Sequence, residues 1–155
     1  ASQLKEKQKV KFIYGVLEKP FYHYFEIAEK MEGKAGDNLI TLLESRLDNV
    51  AYRMGMALTR REARQLVTHR HFTVNGQRVN IPSYRVKEGD VIALYEGSRS
   101  SQKFKDVLEQ TANRPVPLWL EANKENFSVK VTRMPKVEDL DYEVEAHLIV
   151  ELYSK

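Results

Sequence analysis

The sequence predicts an α+β protein: a helical domain assembled from the N-terminal and C-terminal segments, with an inserted small α+β module of two helices plus antiparallel β-hairpins. Three observations carry that reading. Apolar residues recur at three- and four-residue steps up to Met54, and Val144, His147, Leu148 and Glu151 again stand at helical steps. Past His71 the period becomes strand-like around Asn75-Gly76, the strongest short hairpin signal. Met134-Pro135 then marks a boundary before an acidic tail. The expected division is residues 1–45 with 135–155 for the helical domain and 46–134 for the inserted domain, with the module at about 46–95. A chain of 155 residues holds one ordinary domain or two small ones, and a hydrophobic fraction of 42% suffices for a folded core.

Between Gln3 and Met31, the residues Val10, Ile13, Leu17, Phe21, Tyr24, Phe25 and Ala28 suit an amphipathic helix. Pro20 lacks an amide hydrogen and clashes with the preceding turn, so it kinks this helix or starts a second one; two helical pieces are expected. Lys5, Lys7, Lys9 and Lys11 form either a phosphate-binding edge or an ordinary solvated helix face. After the breaker Gly33, Gly36 and Asp37, a stripe from Leu39 through Leu43, Leu47 and Val50 to Met54 describes the clearest helix, stopped at Gly55. Arg46, Asn49 and Arg53 lie off that stripe and are expected to point outward.

Thr59-Arg60-Arg61-Glu62 reads as a capping box opening a short helix, in which Ala63, Leu66 and Val67 are the buried stripe and Arg60, Arg61, Arg64 and Thr68 the exposed face. Phe72-Thr73-Val74 and Gln77-Arg78-Val79 form a hairpin with Asn75, Gly76 and Arg78 at its tip. Tyr84-Arg85-Val86 and Val91–Leu94 are expected to form a second hairpin across Lys87–Asp90. Phe104, Val107, Leu108 and Ala112 indicate another helix, and Trp119 is expected to pack. Phe127–Val131 alternates as a strand; Glu143–Tyr153 has helical spacing while Leu148-Ile149-Val150 equally suits a buried extended run, and the reading leans to a helix packed on the N-terminal helices.

Charge is segregated along the chain. Residues 46–87 carry nine Lys or Arg against Asp48 and Glu62, a balance of +7, whereas residues 134–155 carry six acids against Lys136 and Lys155, a balance of −4. A focused basic field attracts polyanions. Absent cysteines exclude disulfides, thiolate zinc sites and cysteine nucleophiles. His69 and His71 have no neighbouring carboxylates, so neither a metal nor a cofactor is expected. No apolar run approaches the ~18 residues of a membrane-spanning helix, and there is no secretory pattern, so a cytoplasmic protein with no membrane partner is expected.

Several stretches carry a family likeness from end to end: Leu4–Val10, Ile13–Glu18, Leu43–Val50, Arg61–Val67, Val74-Asn75-Gly76 and Leu148–Ser154. In these the chain resembles the family of the fourth small-subunit ribosomal protein of bacteria, and its middle portion resembles the RNA-binding module named after that protein. The resemblance implies a structural constituent of the small subunit that binds rRNA early in assembly, at a multi-helix junction of the 5′ domain. It also implies a position near the mRNA entry path, contact with the fifth small-subunit protein, an influence on decoding accuracy and, in some bacteria, repression of its own operon. Members of the family usually carry a longer N-terminal segment, so an N-terminally truncated chain is expected. Phe12, Tyr22 and His23 stand where relatives tend to carry Arg or polar residues, and Tyr95–Ser98 is less basic than the family pattern.

Arg46, Arg53, Arg60, Arg61, Arg64, Arg70 and Arg78 are the leading expected RNA contacts, because a planar guanidinium grips phosphate oxygens through two donors. Lys7, Lys9, Asn49, His69, Asn75, Gly76, Ser83 and Tyr84 complete the candidate set. Asn75 and Ser83 either donate to phosphate or shape turns, and Tyr84 either stacks on a splayed base or covers the sheet. No catalytic residue is expected. An RNA-modifying enzyme carrying the same module is the main alternative, opposed by the few residues left for a catalytic domain. A helix-turn-helix DNA regulator is the other, opposed by the hairpin that follows.

Overall fold

In a computed structural model that describes residues 2–155, the chain is α+β and groups into two compact units, residues 2–44 with Pro135–Lys155 and Ser45–Met134. The elements in chain order are α1 (Ser2–Tyr14), α2 (Glu18–Lys30), α3 (Ala35–Glu44), α4 (Leu47–Arg53), α5 (Arg60–Thr68), β1 (Phe72–Val74), β2 (Gln77–Arg78), β3 (Val91–Leu94), α6 (Gln102–Thr111), β4 (Leu120–Asn123), β5 (Ser128–Val131) and α7 (Ala146–Tyr153). Short 3-10 turns lie at Glu96–Ser98 and Val137–Asp139.

The first unit is helical. The expected two N-terminal pieces are present, but the break is at Gly15, whose φ of +66° suits a residue without Cβ. Pro20 sits in the first turn of α2, where its missing amide hydrogen forfeits no intrahelical bond. α2 packs on α3, and α7 packs on α1 and α3, as expected for the C-terminal helix. Val10, Phe21, Leu39, Leu43 and Ile149 form the dry centre. Gly36 permits the close approach of α7, because a Cβ there would stand 2.9 Å from the Ala146 Cβ. A buried polar contact crosses this core, where the Tyr14 hydroxyl donates to Glu44 Oε1 at 2.8 Å. Burial, and then the charge of Glu44, push the Tyr14 pKa well above its ordinary value.

The end of α7 is tied down by Tyr153, whose ring meets Phe25 at 4.7 Å and whose hydroxyl donates to Glu18 Oε2 at 2.9 Å. Glu18 Oε1 also receives Lys7 at 2.8 Å and Lys11 at 2.9 Å. Burial alone would raise the Glu18 pKa, but hydrogen bonds from Lys7, Lys11 and Tyr153 outweigh it and hold the carboxyl at about 2, against an ordinary 4.5. A depressed carboxyl contributes stability above its unfolded pKa and loses it as pH falls toward the folded one. Thermal melts between pH 4.5 and 2 should therefore fall less steeply for Glu18→Gln than for the native chain; identical slopes would contradict the assignment.

The second unit packs α4, α5 and α6 against a five-stranded antiparallel sheet in the order β2-β1-β3-β5-β4. Phe72, Val74, Ile92, Leu94, Val129 and Val131 alternate into the core with Leu47, Val50, Leu66 and Trp119. Trp119 is packed as expected.

Three expectations are corrected. The stripe from Leu39 to Met54 is not one helix: Arg46 is extended, with φ −66° and ψ 142°, and separates α3 from α4. There the backbone turns to non-local partners. Leu47 N donates to Tyr84 O at 2.7 Å, Val86 N donates to Ser45 O at 2.9 Å, and Arg46 bridges Arg85. That pairing also removes the expected second hairpin, because Tyr84–Val86 runs beside residues 45–47 while β3 lies between β1 and β5. Finally, β4 completes the sheet edge, where no strand is expected from the sequence.

Candidate nucleic-acid interface

The basic helix α5 starts much as the sequence predicts. Thr59 Oγ1 accepts from Glu62 N at 3.1 Å; the Glu62 carboxylate reaches one residue further back and accepts from Leu58 N at 3.1 Å. Ala63, Leu66 and Val67 are buried, leaving Arg61, Arg64, Gln65 and Thr68 on the open face. At the other end, Arg70 N donates to Val67 O at 2.9 Å and His71 N to Leu66 O at 3.2 Å, which closes the helix through a left-handed residue. That residue is Arg70, with φ +67°, where glycine would be free of the Cβ clash.

The surface cations of α5 are poorly neutralised. Arg61 and Arg70 have no carboxylate within ion-pair reach among the described residues. Arg64 is half exposed, and its Asp48 contact is long, at 3.9 Å. Ser83 and Arg85 are exposed on the segment that pairs with residues 45–48. His69 is exposed beyond the end of α5.

The expected outward group of Arg46, Asn49 and Arg53 is corrected by burial. All three are less than a tenth exposed. Arg46 forms a forked pair with Asp48, Nε to Oδ1 at 3.1 Å and Nη2 to Oδ2 at 2.8 Å. Asn49 Oδ1 accepts from Arg60 Nε at 2.8 Å, and Arg60 lies over the Tyr52 ring at 4.5 Å. Arg53 lies 5.9 Å from the same ring. An off-stripe position on α4 faces solvent only if nothing covers it, and here Arg60 closes over Asn49 while Arg53 lies beside the Tyr52 ring.

At the hairpin tip, Asn75 and Gly76 take the positive φ values of 52° and 84° that the tight turn requires. Asn75 is also occupied internally: Nδ2 donates to Asp90 Oδ1 at 3.0 Å and Oδ1 accepts from Val91 N at 2.9 Å. Arg78 is exposed and stacks 3.4 Å above the Tyr95 ring. Tyr84 is half-buried and packs against the core, which favours its covering role. Lys7 and Lys9 belong to the other unit, where Lys7 pairs with Glu18 and Lys9 with Glu6 and the Glu143 carbonyl.

One neighbourhood is not legible from the local charge balance. His71 accepts or donates through Nδ1 to Ser98 Oγ at 2.7 Å and meets the Phe104 ring edge-on at 5.2 Å. Burial, and then the positive fields of His69, Lys103 and Arg78, lower its pKa. Lys103, in the first turn of α6, therefore adds to the positive field at His71, although it lies outside the basic stretch of the sequence.

A helix pair, an Asn-Gly hairpin and a basic face with few internal carboxylates define the class of protein: one built around an S4 domain. The family described as S4 domain matches residues 45–92, and that described as Ribosomal protein S4/S9 N-terminal domain matches residues 1–44. The chain is 61% identical over 153 residues to the small ribosomal subunit protein uS4 of Clostridioides difficile, covering 99% of this chain and 73% of the relative. It is 60% identical to uS4 of Caldicellulosiruptor bescii, covering 99% and 74%, and 57% identical to that of Lachnoclostridium phytofermentans, covering 99% and 78%. The chain belongs to the uS4 family of small ribosomal subunit proteins.

Proposed function

We propose that this chain is a non-catalytic, ribosome-bound structural protein that grips small-subunit rRNA through the unit of residues 45–134, with α5 as the centre of the grip. The observation that carries this is the open face of α5, where Arg61, Arg64 and Arg70 present guanidinium groups that internal carboxylates leave almost unneutralised. Each phosphate that such a group neutralises releases condensed counterions, which supplies affinity that falls with salt. Selectivity comes from shape: a folded RNA junction holds phosphates at fixed positions, and rigid side-chain bases on a capped helix match them. Arg70 supports the reading independently. A left-handed conformation costs a non-glycine residue about 1 kcal/mol, and such strain is retained where the side chain is needed.

The family likeness extends the proposal to a multi-helix junction of the 5′ domain, early subunit assembly, contact with the fifth small-subunit protein, a place near the mRNA entry path and an influence on decoding accuracy. Arg46, Asn49, Arg53 and Arg60 act in it as the scaffold under the surface, with the outer residues making the contacts.

Filter binding to a 5′-domain rRNA fragment across a salt series tests this. Arg61→Ala with Arg64→Ala should flatten the dependence of log affinity on log salt by about two units while leaving the melting temperature unchanged. An unchanged slope removes α5 from the interface. Arg70→Gly should separate stability from binding: it should stabilise the unit by on the order of 0.5 kcal/mol and yet flatten the slope by about one unit. Should Arg70→Gly lower stability instead, the strain argument fails.

A further inference from the structure

Arg78 and Tyr95 offer a surface of a different chemistry from the α5 face. β2 is the outermost strand on its side of the sheet. Arg78, Thr73 and Ala93 occupy one cross-strand row. The alternate row of Phe72, Val74, Ile92 and Leu94 enters the core, so the Arg78 row lies on the face turned away from it. The pleat carries Tyr95 to the same side as Ala93, and its amide is held by His71 O at 2.7 Å.

Across that row the Arg78 guanidinium carbon stands 3.4 Å from the centre of the Tyr95 ring, the spacing of stacked planes. One face of the guanidinium is thereby covered. Arg78 nevertheless remains exposed, and among the described residues no carboxylate pairs with it and no second ring covers it.

We propose that the open face of Arg78 is a stacking subsite for an unpaired RNA base. The proposal rests on the RNA-binding reading above and specifies what one part of that surface takes. Unstacked bases settle on guanidinium planes as they do on aromatic rings, while a duplex keeps its base faces covered. Tyr95 holds Arg78 flat before any ligand arrives, so less side-chain freedom is lost on binding. A phosphate contact uses the donor-bearing edge of the guanidinium and leaves its face free, whereas a base needs the face.

The test uses the full chain and fluorescence anisotropy with a labelled oligoadenylate about ten nucleotides long, free or paired with oligouridylate. Arg78→Lys keeps the charge and removes the plane. It should weaken binding of the free strand about tenfold, leave the duplex within twofold, and leave the salt slope of both unchanged. Tyr95→Leu should produce the same selective loss, with circular dichroism confirming the fold; if that variant is unfolded, Arg78→Lys decides alone. Equal losses on both probes, or a free-strand loss below twofold, overturn the subsite. So does a native chain that binds the duplex but not the single strand. A native chain that binds neither these probes nor the 5′-domain fragment overturns the RNA-binding reading itself, whereas intact fragment binding with an inert Arg78→Lys overturns only the subsite.

Discussion

Arg46→Ala is expected to destabilise the unit of residues 45–134 by about 3–5 kcal/mol. The side chains of Arg46 and Asp48 are 4% and 5% exposed, and both carboxylate oxygens of Asp48 are engaged by the Arg46 fork. Removing the guanidinium leaves a buried carboxylate whose nearest other cation is Arg64 at 3.9 Å, too long for a strong hydrogen bond. The loss thus reflects an uncompensated charge more than the net worth of the pair. Urea unfolding followed by fluorescence of Trp119, the single tryptophan, reports on this unit directly. A loss below about 1 kcal/mol is what a solvent-facing RNA contact would give and would contradict the buried role. Replacing Arg46 and Asp48 together by apolar residues of similar size should restore much of the stability.

Trp119→Ala should cost a comparable amount, about 3–5 kcal/mol. The ring is 0% exposed and packs within the core between the sheet and its helices. Its backbone is anchored independently, because Trp119 O accepts from Thr132 N at 3.0 Å and from Thr132 Oγ1 at 3.1 Å. The chain path should therefore persist around an unfilled cavity, and the loss should follow the missing volume. Since total stabilities of domains lie at about 5–15 kcal/mol, the variant should sit near the edge of folding at 37 °C. Circular dichroism in urea measures this, with Trp119→Phe expected to lose about 1–2 kcal/mol; an alanine variant that melts with the native chain would show that Trp119 does not organise the core.

Local signals were legible wherever the partners lay within a few residues. Thr59 and Glu62 announced the start of α5, and Asn75-Gly76 announced its hairpin, because capping and tight turns are satisfied by neighbours in the chain. Leu148 and Ile149 leaned correctly toward a helix. The break at Arg46 had no such signal. The apolar spacing runs unbroken through Leu43, Leu47 and Val50, and only hydrogen bonds to Tyr84 and Val86, some forty residues away in sequence, pull residues 45–47 out of the helix. The same holds for β3, whose neighbours β1 and β5 are chosen by the sheet and not by the adjacent turn.

By itself, then, the sequence determined the family, the α+β class, the local starts and turns, and the concentration of positive charge between residues 46 and 87. Tertiary structure alone decided how that charge is divided, turning Arg46 and Arg53 inward while leaving Arg61, Arg64 and Arg70 outside. Periodicity states on which side of a helix a residue stands, but what covers that side arrives from distant segments, and for a charged group the covering decides between scaffold and contact.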